Sequence, residues 1–66
     1  MKIIVNGNLI SINHPVSLLE LLKDLNYSNQ KIAVELNNEI IPRSSYANRI
    51  IVAEDRIEII VAVGGG

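Results

Sequence analysis

The sequence has no cysteine, no phenylalanine and no tryptophan among its 66 residues. Without cysteine the chain can form no disulfide, carry no persulfide and build no zinc site from Cys and His ligands. Tyr27 and Tyr46 are the only aromatic residues, so the chain lacks the stacking platforms that bind single-stranded nucleic acid. Thiol redox chemistry and recognition of unpaired bases are therefore excluded.

An excess of charge of one sign is also missing. Six basic and seven acidic residues are interspersed and give a formal net charge of −1, which provides no basic patch for nucleic acid or an anionic membrane. The longest apolar run, residues 59–63, is far too short to span a bilayer, and the first residues show no signal-peptide organisation. We expect a cytoplasmic protein, monomeric on its own, that binds neither nucleic acid nor membrane.

Aliphatic side chains are abundant and make up most of the 48% of hydrophobic residues. The length predicts a single domain over residues 1–66, which needs an efficient core because domains this small bury only about 60% of their unfolded surface. Alternating apolar residues predict strands over 1–5 and 8–12, joined by the type I′ turn signal Asn6-Gly7. The predicted hairpin has an inner face of Met1, Ile3, Ile10 and Ile12 and an outer face of Lys2, Ile4, Leu9 and Ser11.

A single helix is predicted to begin at Ser17. Ser17 and Glu20 match the capping box, in which the two residues satisfy each other's unpaired backbone donors. Four leucines at helical spacing form one apolar stripe, and Asn26 is expected near the end of the helix. The stripe consists of Leu18, Leu21, Leu22 and Leu25.

The second half of the chain predicts more strands, separated by turns. Asn37-Asn38 and Glu54-Asp55 are turn signals, and residues 43–49 are expected to be irregular or to form one helical turn anchored by Tyr46. Strands are predicted over 31–36, 39–41 and 56–63, with an extended segment at 50–53. Their inward-facing residues are predicted to include Ile32, Val34, Leu36, Ile57, Ile59, Val61 and Val63.

The predicted order of elements is β-β-α-β-β-β. One amphipathic helix must bury its leucine stripe on one face of the sheet, which gives two layers. This order matches the β-grasp, the ubiquitin-like architecture of the α+β class. We therefore expect a mixed sheet whose first and last strands lie parallel at its centre, with one helix packed on one face.

The face of the sheet opposite the helix is predicted to be open. Ile4 and Leu9 fall on it by the period of their strands, and so do Ile60 and Ala62. Exposed aliphatic residues on adjacent strands indicate a partner-docking face, although single exposed aliphatic residues are common and need no function.

The chain offers no catalytic constellation. His14, the only histidine, precedes Pro15 in a loop with no serine or acid placed to work with it, and we interpret it as solvated. Glu54-Asp55 supply too few oxygens for a metal site, and no phosphate-binding loop is present. For Arg43, pairing with Glu39, contact with an acidic partner and simple solvation all stay open.

Gly64-Gly65-Gly66 follow the last predicted strand. Glycine adopts almost any backbone conformation and is slim enough to enter a narrow channel, and terminal glycines have no side chains to order them. We expect residues 64–66 to form a flexible tail that presents one reactive group, the carboxylate of Gly66.

A carboxylate becomes a good electrophile only when it is activated, commonly as an acyl-adenylate made with ATP. Because the chain has no ATP-binding motif, a partner enzyme must supply that step.

Six segments carry a family resemblance: Met1-Lys2-Ile3 with its Asn-Gly turn, then residues 17–22, 32–37, 40–43, 55–60 and 63–66. In these segments, their order and the overall length, the chain resembles the ThiS family, the small sulfur carriers of thiamin biosynthesis. Glu54 and Asn38 depart from that family, where glycine is common at both positions, and Tyr46 stands where tryptophan is often found. These departures affect turns and packing and leave the tail unchanged.

The resemblance implies a protein cosubstrate that is not itself an enzyme. An E1-like adenylyltransferase would adenylate the Gly66 carboxylate with ATP, and sulfur from a cysteine desulfurase system would displace AMP and leave a thiocarboxylate. Thiazole synthase would then take the sulfur, while Gly64 and Gly65 thread the partner active sites. The carrier would bind no cofactor, because its partners use the ATP and the sulfur donor.

Three other interpretations stay open. They are the related sulfur carrier of molybdopterin synthesis, a ubiquitin-like modifier that forms isopeptide bonds to lysine, and a β-grasp interaction module whose tail is incidental. The molybdopterin carriers resemble longer chains that typically end in two glycines. Removal of Gly66 would abolish the function of a carrier or a modifier but not that of an interaction module.

Overall fold

The computed structural model describes residues 1–62 of the protein. It contains β1 (Lys2–Val5), β2 (Asn8–Ser11), β3 (Val16–Ser17), α1 (Leu18–Asp24), β4 (Ile32–Leu36), β5 (Glu39–Ile41), a 3₁₀-helix (Arg43–Ser45), β6 (Ile50–Ile51) and β7 (Arg56–Val61). Five strands form one sheet in the order β2-β1-β7-β4-β5, with β1 and β7 parallel at its centre. This topology confirms the predicted β-grasp fold. Val63 and the predicted tail, residues 64–66, lie outside the described residues.

Asparagine residues form the turns of both hairpins in this sheet. Asn6-Gly7 have φ angles of 50° and 83°, and Asn37-Asn38 have φ angles of 52° and 71°. Positive φ at both central residues defines the type I′ turn, whose twist matches that of the flanking strands. The predicted register of the first hairpin is confirmed, with Val5 opposite Asn8.

The helix α1 begins and ends at local hydrogen-bonding signals. Ser17 Oγ accepts a hydrogen bond from the Glu20 amide at 3.1 Å, which confirms Ser17 as the N-cap. Asn26 follows the helix with a φ of 69°, and the Tyr27 amide donates to the Leu22 carbonyl at 2.8 Å. This is the Schellman arrangement, with asparagine in the position that usually holds glycine.

The core lies between the helix and the sheet, as the leucine stripe predicted. Leu18, Leu21 and Leu22 are at most 3% exposed, and Leu25 packs against them while partly exposed. Tyr46 is also buried and anchors the segment that contains the 3₁₀-helix, as expected. The buried hydrophobic residues are Ile3, Val5, Leu18, Leu21, Leu22, Val34, Leu36, Ile41, Tyr46, Ile51, Ile57 and Ile59.

The structure adds a second, two-stranded sheet that the sequence analysis missed. β3 pairs with β6 in antiparallel fashion, with Val16 opposite Ile51 and Ser17 opposite Ile50. Strands of two residues have no alternation to detect, so periodicity cannot find them. The extended segment predicted over 50–53 is a strand only in its first two residues.

Two residues predicted to face inward are more exposed than expected. Val61 is 37% exposed and Met1 is 39% exposed, although each belongs to the inner face by strand period. A helix of seven residues is only about 10 Å long. It covers the middle of the sheet and leaves the ends of the inner face partly open.

Candidate functional site

The start of β7 is bound to its neighbour β1 by backbone and side-chain hydrogen bonds. The Asn6 amide donates to the Ile57 carbonyl at 2.9 Å, and Asn6 Oδ1 accepts from the Ile59 amide at 2.7 Å. β1 ends at Val5, so the Asn6 side chain provides the acceptor that a longer β1 would have provided through its backbone. The sequence analysis identified Asn6 only as a turn residue and missed this second role.

The start of β7 is bound just as firmly on the β4 side. The Asn37 amide donates to the Arg56 carbonyl at 2.8 Å, and Asn37 Oδ1 accepts from the Arg56 amide at 2.9 Å. Asn37 Nδ2 also donates to Asp55 Oδ1 at 3.0 Å, while Asp55 Oδ2 accepts from the Val52 amide at 2.8 Å. Both oxygens of Asp55 thus serve the turn, in agreement with its interpretation as a turn residue.

The other end of β7 leads toward the predicted tail. Val61 lies opposite Ile32 of β4, and the Ala62 amide donates to the Lys31 carbonyl at 2.9 Å. The backbone is therefore still paired with β4 at the last described residue. Gly64, Gly65 and Gly66, the predicted attachment and threading residues, begin two positions further on and lie outside the described part of the chain.

All four residues of the predicted docking face lie on the side of the sheet away from the helix. Leu9 is 65% exposed, Ile60 is 58% exposed, Ala62 is exposed and Ile4 is half-buried. Leu9 lies directly opposite Ile4 across β1 and β2, and Ile60 and Ala62 lie further along β7. The structure therefore places them in two apolar patches, one formed by Ile4 and Leu9 and the other by Ile60 and Ala62.

A band of charged side chains lies between the two patches. Arg56 is the β7 partner of Ile4, and Glu58 lies next along the same face of β7, directly opposite Glu35 of β4. Strand period alone did not reveal this band, because the band depends on the register of three strands. The sequence analysis also did not identify Ile40, which is 69% exposed beside Glu35.

The remaining candidate residues form no reactive group. His14 Nδ1 lies 3.0 Å from the Pro15 carbonyl oxygen in an exposed loop. Glu39 pairs with Arg49, with 3.5 Å between Arg49 Nη2 and Glu39 Oε1, and not with Arg43. The suggested pairing of Arg43 with Glu39 was therefore wrong.

Within residues 1–62 no group of three or more acidic or histidine side chains could hold a metal ion. No helix in the same range is long and apolar enough to cross a membrane.

The topology of the sheet and the three glycines that follow β7 in the sequence are those of one class of protein, the ubiquitin-like β-grasp domain with glycines after the central strand. Comparison with known proteins places the chain within that class. The model of the ThiS family matches residues 3–66. The chain belongs to the ThiS family.

Individual relatives agree with this assignment. The crystal structure of the thiamine biosynthesis protein ThiS from Geobacter metallireducens superposes with a TM-score of 0.87, at 28% identity and with full coverage of both chains. A thiazole synthase from Paramagnetospirillum magneticum is 38% identical over all 66 residues, which span only 20% of that protein's length. The uncharacterized protein ycf40 of Porphyra purpurea is 35% identical, with 93% of its length covered.

The backbone explains two of the three departures from the family's usual residues. Asn38 and Glu54 both have a φ of 71°, a conformation that costs a residue with a Cβ about 1–2 kcal/mol and costs glycine almost nothing. Glycine is therefore suited to both positions. Asparagine tolerates this region better than glutamate does, so Glu54 carries the larger conformational cost.

Proposed function

We propose that this protein is a sulfur carrier for the biosynthesis of the thiamin thiazole. An E1-like adenylyltransferase joins the Gly66 carboxylate to AMP from ATP and releases pyrophosphate. A persulfide of a desulfurase system attacks the adenylate and displaces AMP, which leaves an acyl disulfide on Gly66. A thiol then reduces the S–S bond and releases a thiocarboxylate on Gly66, which donates the sulfur to thiazole synthase. The protein is a cosubstrate in this cycle, binds no cofactor and performs no catalysis of its own.

The single observation that carries this proposal is the family match, which extends through residues 64–66. The fold supports it, because the central strand β7 is bound on both sides at its start and is still paired with β4 at Ala62. A well-anchored strand can deliver the residues that follow it to a partner without disturbing the core. The absence of cysteine also supports it, since the chain cannot carry sulfur as a persulfide.

Thiazole synthase is supported as the sulfur acceptor by the relatives that carry that name. Both the Paramagnetospirillum magneticum protein and one from Magnetococcus marinus match this whole chain over only 20% of their own length. A carrier-like segment thus occurs within longer proteins named thiazole synthase. We propose that the carrier also donates its sulfur to a thiazole synthase here, and that Ile4, Leu9, Ile60 and Ala62 form the docking face for that enzyme.

Genetic complementation tests this proposal and separates it from the molybdopterin alternative. Bacteria that lack their own thiamin sulfur carrier, supplied with the cognate adenylyltransferase and thiazole synthase, should grow without thiamin when they express this protein. The matched control lacks only Gly66 and should fail to grow. Rescue of a strain deficient in the molybdopterin carrier, with no rescue of thiamin auxotrophy, would contradict the assignment.

A further inference from the structure

A cavity of about 250 Å³ opens beside the helix, on the side of the sheet opposite the docking face. It lies between α1, the loop after it and the segment that contains the 3₁₀-helix. Its walls are mainly apolar and include Leu22, Tyr27, Ile32 and Tyr46. Its size and composition suit one large aliphatic or aromatic side chain.

The rim of this cavity is positively charged, although the chain as a whole is slightly acidic. Lys23 and Arg43 both line it, and no acidic side chain does so among residues 1–62. The acids of the helix, Glu20 and Asp24, instead line a different cavity of about 310 Å³ on the other flank of α1. Within the described residues neither Lys23 nor Arg43 forms an ion pair, as Glu39 is paired with Arg49.

The cavity also lies next to the last described residues of β7. Ile32 forms part of its wall and is the direct partner of Val61 at the end of β7. Gly66 is four residues beyond Ala62, and four residues span at most about 14 Å. An enzyme that acts on Gly66 must therefore come close to this cavity.

We infer that this cavity receives a surface segment of the adenylyltransferase, the first enzyme to act on Gly66, and that this segment presents an aromatic or large aliphatic side chain next to a carboxylate. The apolar walls bury the side chain, and Lys23 and Arg43 bind the carboxylate. This inference rests on the proposed function and adds a second contact, on the helix side, to the open face of the sheet. It makes Lys23 and Arg43 determinants of partner specificity.

Charge reversal at the rim tests the inference through the steady-state kinetics of pyrophosphate release by the cognate adenylyltransferase. Lys23→Glu and Arg43→Glu should each raise the KM for this protein about tenfold or more and change kcat little, because they affect docking and not the reacting carboxylate. Both side chains are exposed, so thermal unfolding should be unchanged. The matched control is His14→Glu, which adds a negative charge at an exposed residue on the other flank of α1 and away from the docking face, and its KM should stay within about twofold of the wild type.

The outcomes separate this inference from the function on which it rests. Equal KM values for Lys23→Glu, Arg43→Glu and His14→Glu would overturn the inference while leaving the carrier function intact. A defect confined to sulfur transfer to thiazole synthase would also overturn it, since the occupant would then be the other enzyme. No adenylation of the wild-type chain by that enzyme would contradict the proposed function itself.

A direct measurement locates the contact without relying on turnover. Methyl groups of isotopically labelled protein are observed by NMR while the adenylyltransferase is added. Signals from Ile32 and Leu19, which line the cavity, should shift or broaden, whereas Ile12 on the other flank of the helix should not. Unchanged Ile32 and Leu19 signals in a complex that forms would overturn the inference.

Discussion

The two ends of strand β7 differ in hydrogen bonding and in burial. At its start, Asn6 and Asn37 add side-chain hydrogen bonds on either side, and Ile57 is fully buried. At its other end the strand pairs with β4, Val61 is 37% exposed and Ile60 is 58% exposed. The inner face of β7 is thus fully buried and reinforced by side-chain hydrogen bonds at the start of the strand, and it is partly exposed at the end of the strand.

Under the proposed function, this difference would let a small domain present the carboxylate of Gly66 without weakening its core. If the account is correct, substitutions near the start of β7 should change stability and leave the carrier chemistry intact. Changes beyond its end should abolish the chemistry and leave stability intact. The predictions below test this division, from the largest effect to the smallest.

Removal of Gly66 should abolish adenylation completely. The reacting carboxylate would then belong to Gly65 and would lie one residue, about 3.5 Å, short of its position in the partner active site. Pyrophosphate release with the cognate adenylyltransferase measures the loss. The unfolding temperature should match that of the wild type, and a large drop would show that the two ends of the strand are not independent.

Ile57→Ala should lower the free energy of unfolding by about 2–5 kcal/mol, because it leaves a cavity at a residue with no exposed surface. The control is Ile60→Ala, the same truncation in the same strand at an exposed position. It should change the free energy of unfolding by no more than about 0.5 kcal/mol. Urea denaturation compares the two. Equal effects would show that β7 is not packed as described.

Asn6→Ala should destabilise the fold by about 1–3 kcal/mol. The substitution removes the acceptor of the Ile59 amide and places a residue with a less tolerant backbone at a φ of 50°. Asn6→Asp keeps an acceptor oxygen at the same position and should retain most of the stability. Thermal denaturation of both variants measures the loss of stability. Equal losses for Asn6→Ala and Asn6→Asp would show that the destabilisation comes from the turn and not from the hydrogen bond to the Ile59 amide.

Glu54→Gly should stabilise the protein by about 0.5–1 kcal/mol, because glycine adopts a φ of 71° without strain. Part of that gain is offset because glycine has a larger conformational entropy in the unfolded chain. Ala53→Gly, one residue earlier and outside the positive-φ region, should instead be neutral or slightly destabilising. The urea midpoints of the two variants should therefore move in opposite directions. A shift of both in the same direction would contradict the explanation of the family's glycine.

The sequence predicted those parts of the fold whose signals are local. The Asn6-Gly7 turn, the N-cap Ser17 and the leucine stripe each depend on residues a few positions apart, and all three are confirmed. Strand period and the order of elements then sufficed for the β-grasp topology. The pairing of β3 with β6 was missed because it joins two-residue segments more than 30 positions apart.

The candidate site was less accessible to sequence reasoning, for the same physical reason. The hydrogen bond of Asn6 Oδ1 with the Ile59 amide joins residues 53 positions apart and needs the central pairing of β1 with β7. The charged band of Arg56, Glu58 and Glu35 becomes visible only once the register is known. The positive rim formed by Lys23 and Arg43 requires the packing of the helix against a distant loop.

The central claim is that the chain carries sulfur on Gly66, beyond a strand that is anchored at its start. The most direct test is the intact mass of the protein isolated from cells that contain the whole pathway, followed by fragmentation to locate any change. The account predicts a fraction in which one oxygen is replaced by sulfur, located at Gly66. Only the free acid, with no change even after incubation with ATP, the cognate adenylyltransferase and a sulfur source, would contradict it.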